Sequence, residues 1–217
     1  MSKVGGRKSY SPVLIKECGE GMVDVKKTLP RVVVLLDKDR PDGAAYLRKT
    51  VAAMLGRALK KLPPGMTFVI RDAWRPAKVQ QDIMESFVVR FRRQHPGWTK
   101  ERAKKEAQKY VANASGVMAS GHMTGGALDV RLWKNGKRVP MRSWKLTYQE
   151  NAGPYQPKLP KHLQRNREIM YRALSEVGFS QCHNEFWHWS YGDAQWAKRT
   201  GAGVAIYGVV ETPTKSR

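Results

Sequence analysis

The chain has 217 residues, with 40 Lys and Arg against 18 Asp and Glu for a formal charge of +22. That length fits one domain with its own core, and the two cysteines, Cys18 and Cys182, form no CxxC, which argues against a disulfide framework or a cysteine metal cluster. So large a positive charge favours polyanionic partners, either nucleic acid or an anionic cell-wall polymer.

Met1 to Arg7 begins positively but has no apolar run behind it, and no stretch is apolar enough to span a membrane. The expected location is cytoplasmic, with export by a route lacking a signal peptide left open. Residues 1 to 28 show no periodicity and are expected to wrap the domain as a loose arm. Arg31 to Leu36 is a short apolar run, either a strand or a buried segment. Ala44 to Leu62 has the spacing of an amphipathic helix, with Leu47, Val51, Met54, Leu55 and Leu59 on one face, ended by Pro63-Pro64-Gly65. Met66 to Ile70 is a predicted strand. Val79 to Gln94 is a second helix, stopped by His95-Pro96-Gly97, and Thr99 caps a third that runs to about Asn113. Gly125-Gly126 turns the chain into a strand from Ala127 to Trp133. Asn135-Gly136 signals a hairpin that returns through Arg138 to Met141. Residues 142 to 160 form a long loop, Lys161 to Val177 a helix ended by Gly178, and Phe186 to Tyr191 and Val204 to Val210 two further strands. The expected fold class is α+β: a small, mainly antiparallel sheet with helices packed on it.

Chemistry concentrates in Ser120 to Asp129 and in Glu185-Phe186-Trp187-His188. Together these segments offer two imidazoles and a carboxylate as metal ligands, with a second carboxylate left over. A catalytic zinc site needs three protein ligands, an open position for water and a general base. His122 and Asp129 are separated by six residues that include two glycines, so the chain can turn tightly and re-enter as a strand. On that strand Leu128, Val130 and Leu132 would face the core, while Ala127, Asp129 and Arg131 share the other face. Glu185 and His188 are harder to combine. Residues three apart diverge in a flat strand and converge in a helical turn, yet the segment has β composition. A bulge or a turn at its start would reconcile them.

The pattern Ser120-x-His122-x-x-Gly125-x-Ala127-x-Asp129 followed by Glu185-x-Trp187-His188 resembles the zinc signature of the VanX-type D-alanyl-D-alanine dipeptidases. Related D,D-carboxypeptidases and cell-wall endopeptidases share much of it. Asp72-Ala73-Trp74-Arg75-Pro76 resembles that family's arginine-bearing segment. Val139-Pro140-Met141 and the Asn166-Arg167 helix leading to Gly178-Phe179 fit the same order. The resemblance covers residues 66 to 191. It implies that His122, Asp129 and His188 bind one zinc ion, that Glu185 is the catalytic base, and that Arg75 stabilises the tetrahedral transition state. Ser120, Trp74 and Glu150 are the expected substrate contacts. The expected organisation is residues 1–30 as an N-terminal arm and 31–217 as a single zinc D,D-peptidase domain, which the resemblance implies acts on a D,D-dipeptide or a peptidoglycan stem peptide.

One departure bears on the substrate. The dipeptidases carry an acidic residue a few positions after the Pro-Met pair, to hold the substrate ammonium. Here Arg142-Ser143-Trp144-Lys145 follows Met141, and the nearest carboxylate is Glu150. Either Glu150 takes that role from a reshaped loop, or the amine is not read this way and longer wall peptides are cleaved. Other readings are weaker. Cys182-His183 lacks an orienting third group. Ser120 and His122 lack a strand–nucleophile–helix elbow. Trp187, Trp189 and Trp196 are expected in the core and pocket walls. A nucleic-acid-binding protein with a structural zinc is disfavoured, because such sites are normally closed by four protein ligands.

Overall fold

The structure, a computed structural model, describes residues 13–36 and 45–213. In chain order its strands and helices are β1 (Leu14–Ile15), β2 (Met22–Asp24), α1 (Val25–Thr28), β3 (Val33–Val34), β4 (Tyr46–Arg48), α2 (Lys49–Leu59), β5 (Met66–Asp72), α3 (Ala77–Gln94) and α4 (Lys100–Ala107). There follow β6 (Ala127–Lys134), β7 (Lys137–Arg138), α5 (Tyr148–Ala152), α6 (Lys161–Ser175), β8 (Ser180–Gln181), β9 (His188–Ser190), α7 (Ala194–Thr200) and β10 (Val204–Ala205). A single 3-10 turn, Gly121–Thr124, precedes β6. The architecture is α+β.

The main sheet has six strands in the order β3-β5-β6-β9-β8, with β7 added to β6. Only the β3–β5 pair is parallel. Alternation along β6 decides its two faces. Leu128, Val130 and Leu132 are fully buried in the main core with Phe68 and Ile70 of β5. α2 and α6 cover this face with Val51, Met54, Leu55, Met170 and Leu174. The hairpin at Asn135-Gly136 uses two left-handed residues, φ 49° and 77°, as a tight two-residue turn requires.

Several elements differ from the sequence expectation. The helix expected from Ala44 begins only at Lys49. Ala44 lies outside the described residues, and residues 46 to 48 form β4, paired antiparallel with β2. Leu47 is buried from this strand rather than from a helix face. The arm is outside the described residues up to residue 12. Beyond it, β1 pairs in parallel with β10, and Met22 and Val25 are buried. α4 stops at Ala107, after which Tyr110 turns back to stack on Phe87, 6.2 Å between ring centroids. β10 ends at Ala205, because the amides of Ile206 and Tyr207 turn to the carbonyl of Gly192. The long loop contains α5, and α7 rises from an Asp193 N-cap that accepts from the Trp196 amide. Among the described residues no helix is long and apolar enough to cross a membrane.

Candidate metal centre and active-site cavity

Three neighbouring strands bring the chemistry together. Asp129 of β6 pairs directly with His188 of β9. On its other side Asp129 pairs with Asp72 of β5, across a register shift between Ile70 and Asp72. The shift inserts one extra residue and turns Asp72 onto the face carrying Asp129, as a β-bulge does. Two carboxylates side by side repel; Arg75 answers one of them, with Nη1 3.4 Å from Asp72 Oδ2. His122 arrives from the 3-10 turn. Gly125 ends that turn at φ 72°, a conformation cheap only for glycine. The turn is clamped from outside by buried Arg48, whose Nε donates to the Thr124 carbonyl at 2.7 Å and whose outer nitrogens bridge both Glu17 oxygens at 3.0 Å.

His122 Nδ1 lies 2.8 Å from the Ala73 carbonyl. A carbonyl only accepts, so Nδ1 carries the proton and Nε2 keeps its lone pair. His122 Nε2 is 3.1 Å from His188 Nδ1, His188 Nδ1 is 2.9 Å from Asp129 Oδ1, and His122 Nε2 is 3.4 Å from the same oxygen. Bonds of about 2.0–2.1 Å in tetrahedral geometry set ligand atoms about 3.3 Å apart, so the residues present fit zinc. Burial opposes ionisation of Asp129, but the two imidazoles outweigh it and hold its carboxyl well below the usual range. The Ala73 carbonyl behind His122 is the outer partner that orients metal-binding imidazoles.

The spacing of Glu185 and His188 is resolved by a turn: the His188 amide donates to the Glu185 carbonyl at 3.2 Å, and β9 begins only at His188. Glu185 opens onto the same cavity as the three ligands, a volume of about 910 Å³ also bordered by Arg75 and Ser120. Burial first, then the charge of Asp129, push the Glu185 carboxyl above its ordinary value. Arg75 is anchored through its amide to the His122 carbonyl at 3.2 Å, and its Nε is buried with no acceptor. A buried donor without a partner is costly, and a substrate oxygen would satisfy it.

Two expected contacts lie elsewhere. Trp74 is not part of the cavity wall. It meets Tyr46 edge-on, and its Nε1 donates to the Val210 carbonyl at 3.1 Å, so it ties down the C-terminal segment. Glu150 also stays outside the cavity. One of its oxygens accepts from the Thr147 amide and hydroxyl, both at 2.9 Å, and the other pairs with Lys158 at 3.2 Å; these bonds, the Thr147 amide first, lower its pKa. It closes a capping box at the start of α5. Trp187 lines the cavity and Trp189 is fully buried, while Trp196 donates from Nε1 to Gly178 and packs on Tyr191. Cys182 and His183 border the cavity, and burial raises the Cys182 thiol. Sequence reasoning missed Asp72, Tyr148 and Arg199 as cavity residues. Asp72 stood inside a recognised motif, but only the bulge reveals where it points.

With this geometry established, the sequence model of a peptidase family described as D-ala-D-ala dipeptidase matches residues 38–203. A D-alanyl-D-alanine dipeptidase from Synechocystis sp. (strain ATCC 27184 / PCC 6803 / Kazusa) is 29% identical over 240 residues, covering 94% of this chain and 97% of that protein. Among solved structures, VanYB in complex with D-alanine-D-alanine is 17% identical with a TM-score of 0.49, covering 77% of this chain and 84% of that one. The LdcB LD-carboxypeptidase is 18% identical with a TM-score of 0.48, covering 85% and 75%.

Proposed function

This chain belongs to the D-ala-D-ala dipeptidase family and is a metallopeptidase, and from that premise we propose that it uses zinc to hydrolyse the D-Ala-D-Ala dipeptide in peptidoglycan metabolism. The observation that carries the proposal is the convergence of His122 Nε2, His188 Nδ1 and Asp129 Oδ1 within one cavity that also holds Glu185 and Arg75. The family match supports the same reading.

His122, Asp129 and His188 would hold the metal, which supplies Lewis acidity and makes water acidic enough to be deprotonated near neutral pH. Glu185 then accepts the proton of the attacking water and returns it to the leaving amine. Its raised pKa suits both transfers, because a base poised nearer the working pH gives the proton back more readily. Arg75 offers a permanently charged planar fork to the oxyanion that develops on the scissile carbonyl. Asp72 holds that fork from behind. Ser120, buried at the cavity wall, is the proposed contact towards the substrate's amino end.

A second substrate reading is favoured by one observation. The carboxylates on the cavity wall are Asp72, Asp129 and Glu185, and each already has a role. With Glu150 committed to α5, the described wall offers no further anion for a free ammonium. A D,D-carboxypeptidase or endopeptidase action on longer wall peptides fits that wall. The test is release of free D-alanine from D-Ala-D-Ala by zinc-replete protein, stopped by a chelator and restored by zinc, alongside mass spectrometry of digested wall peptides. No release from the dipeptide but trimming of wall peptides would select the second reading; no cleavage of either would remove both.

A further inference from the structure

Arg199 borders the cavity from α7, over the β8–β9 edge of the sheet. Ser180 of β8 and Ser190 of β9 are directly paired, so their side chains share one face. Both hydroxyls accept from Arg199: Nε donates to Ser180 Oγ at 3.0 Å and Nη2 to Ser190 Oγ at 2.5 Å. Ser190 in turn donates to Asp193 Oδ1 at 3.1 Å. The nearest carboxylate therefore reaches Arg199 only through a hydroxyl. Among the described residues no carboxylate stands within ion-pairing distance, and Nη1 has no protein acceptor. Burial, the leading influence, lowers the pKa of this guanidinium, and the charge of Asp193 opposes it without cancelling it. A partly buried cation bonded on one edge by hydroxyls, with the Asp193 carboxylate behind them and the side chain bordering the cavity, can receive a second anion from the cavity. The other arginines of the wall differ: Arg75 faces Asp72, and Arg90 is exposed and stacked over Phe87.

The position defines the anion. Ser190 lies two residues from His188 on β9, on the same face, about 7 Å along the strand. One extended peptide residue spans about 3.5 Å and one hydrogen bond about 2.9 Å, so their combined reach is of the same order as that gap. We propose that Arg199 binds the α-carboxylate of the residue that leaves, so that the enzyme removes a single C-terminal residue. This rests on the peptidase reading above and deepens it: Arg199 selects against cleavage inside a chain, which narrows the second substrate reading to carboxypeptidase action, and Ser180 and Ser190 position its fork.

The test compares D-Ala-D-Ala with its C-terminal amide on zinc-loaded protein. The wild type should prefer the free acid strongly. Arg199→Gln should raise KM for the acid about 10- to 100-fold with a smaller change in kcat, and the acid-over-amide preference should collapse. Arg199→Lys, which keeps charge but not the two-pronged geometry, should fall between. Binding of unhydrolysed D-Ala-D-Ala to zinc-loaded Glu185→Ala should weaken by the same factor when Arg199→Gln is added. Equal losses on acid and amide, or an unchanged preference in either variant, would overturn the assignment while leaving the peptidase reading intact. If Arg199→Gln does not fold, Arg199→Lys decides by the same ratio. A zinc-loaded wild type that cleaves neither compound overturns the peptidase reading, and this inference falls with it.

Discussion

Two of the walls of the cavity are held in different ways. One wall is sheet: Asp72, Asp129 and His188 stand on three adjacent strands at matched register, so their positions are set by main-chain ladders shared with the core. Another wall is the segment from 148 to 156, which contributes Tyr148, Gln149, Ala152, Gly153, Tyr155 and Gln156. It is fixed largely by two side chains. Asn151 bonds the amide and carbonyl of Ser143 and the carbonyls of Leu146 and Thr147. Arg167 of α6 donates to the carbonyls of Met141, Asn151 and Gly153 at 2.7–2.8 Å. A ladder distributes a perturbation over many bonds, whereas a loop pinned by single residues changes shape when one of them changes. Under the proposed function, reaction chemistry falls to the first wall and substrate shape to the second.

The largest effects should come from breaking the sheet wall. His122→Ala should lose bound zinc, read by metal analysis, and with it all turnover. Glu185→Gln should keep a full complement of zinc and lose about 10²- to 10⁴-fold in kcat; near-normal turnover would show that the base is another group. The same residue sets the acid limb of the pH profile. Burial first, then the charge of Asp129, raises its pKa above the ordinary 4.5. A base must be ionised, so kcat/KM should fall as pH drops through that raised value, and the limb should lie higher than for an exposed glutamate. Arg75→Met should come next, at about 10²- to 10³-fold in kcat with little change in KM, the usual cost of one oxyanion donor.

Breaking the loop wall should act on stability and KM instead. Arg167→Met removes the donor of the three short bonds to backbone carbonyls and takes from the Phe186 ring its nearest cation, 3.8 Å away, leaving Arg131 and Arg142 farther off. Unfolding should become easier by about 3 kcal/mol, measured by denaturant titration. Zinc content should hold while KM for the dipeptide rises. Equal loss of zinc and of substrate affinity would mean that the two walls are not independent.

The same contrast governs what the sequence revealed. The residues of the His-Asp-His group and the strand from Ala127 were legible, because alternation and the Gly125-Gly126 turn are local signals. The core face of β6 followed from the same alternation. The turn at Glu185 was open in the sequence because spacing of three and β composition point in opposite directions, and only the pairing of His188 with Asp129 decides between them. β4 was hidden inside a helical pattern, since its partner β2 is remote in the chain and tertiary pairing overrides local propensity. α7 carried real signals, an Asp193 cap and Gly201 in the left-handed region at φ 74°, masked by the aromatic residues around them. Arg199 had no local signal at all, because what marks it is the absence of a nearby carboxylate in space.

The smallest predicted effects test Glu150, and they separate capping from substrate recognition. Thr147→Ala removes the hydroxyl that caps α5 and should destabilise the fold by about 1 kcal/mol, with KM moving only as far as the end of the loop wall loosens. Glu150→Gln keeps the shape of the capping box while removing the charge that faces Lys158. If Glu150 only closes α5, KM for D-Ala-D-Ala should not change, and N-acetylation of the substrate should affect the variant and the wild type alike. A KM raised by about tenfold for the free dipeptide, and unchanged for the acetylated one, would bring Glu150 back to the ammonium. It would also mean that the loop wall moves on binding far enough to carry that carboxylate into the cavity.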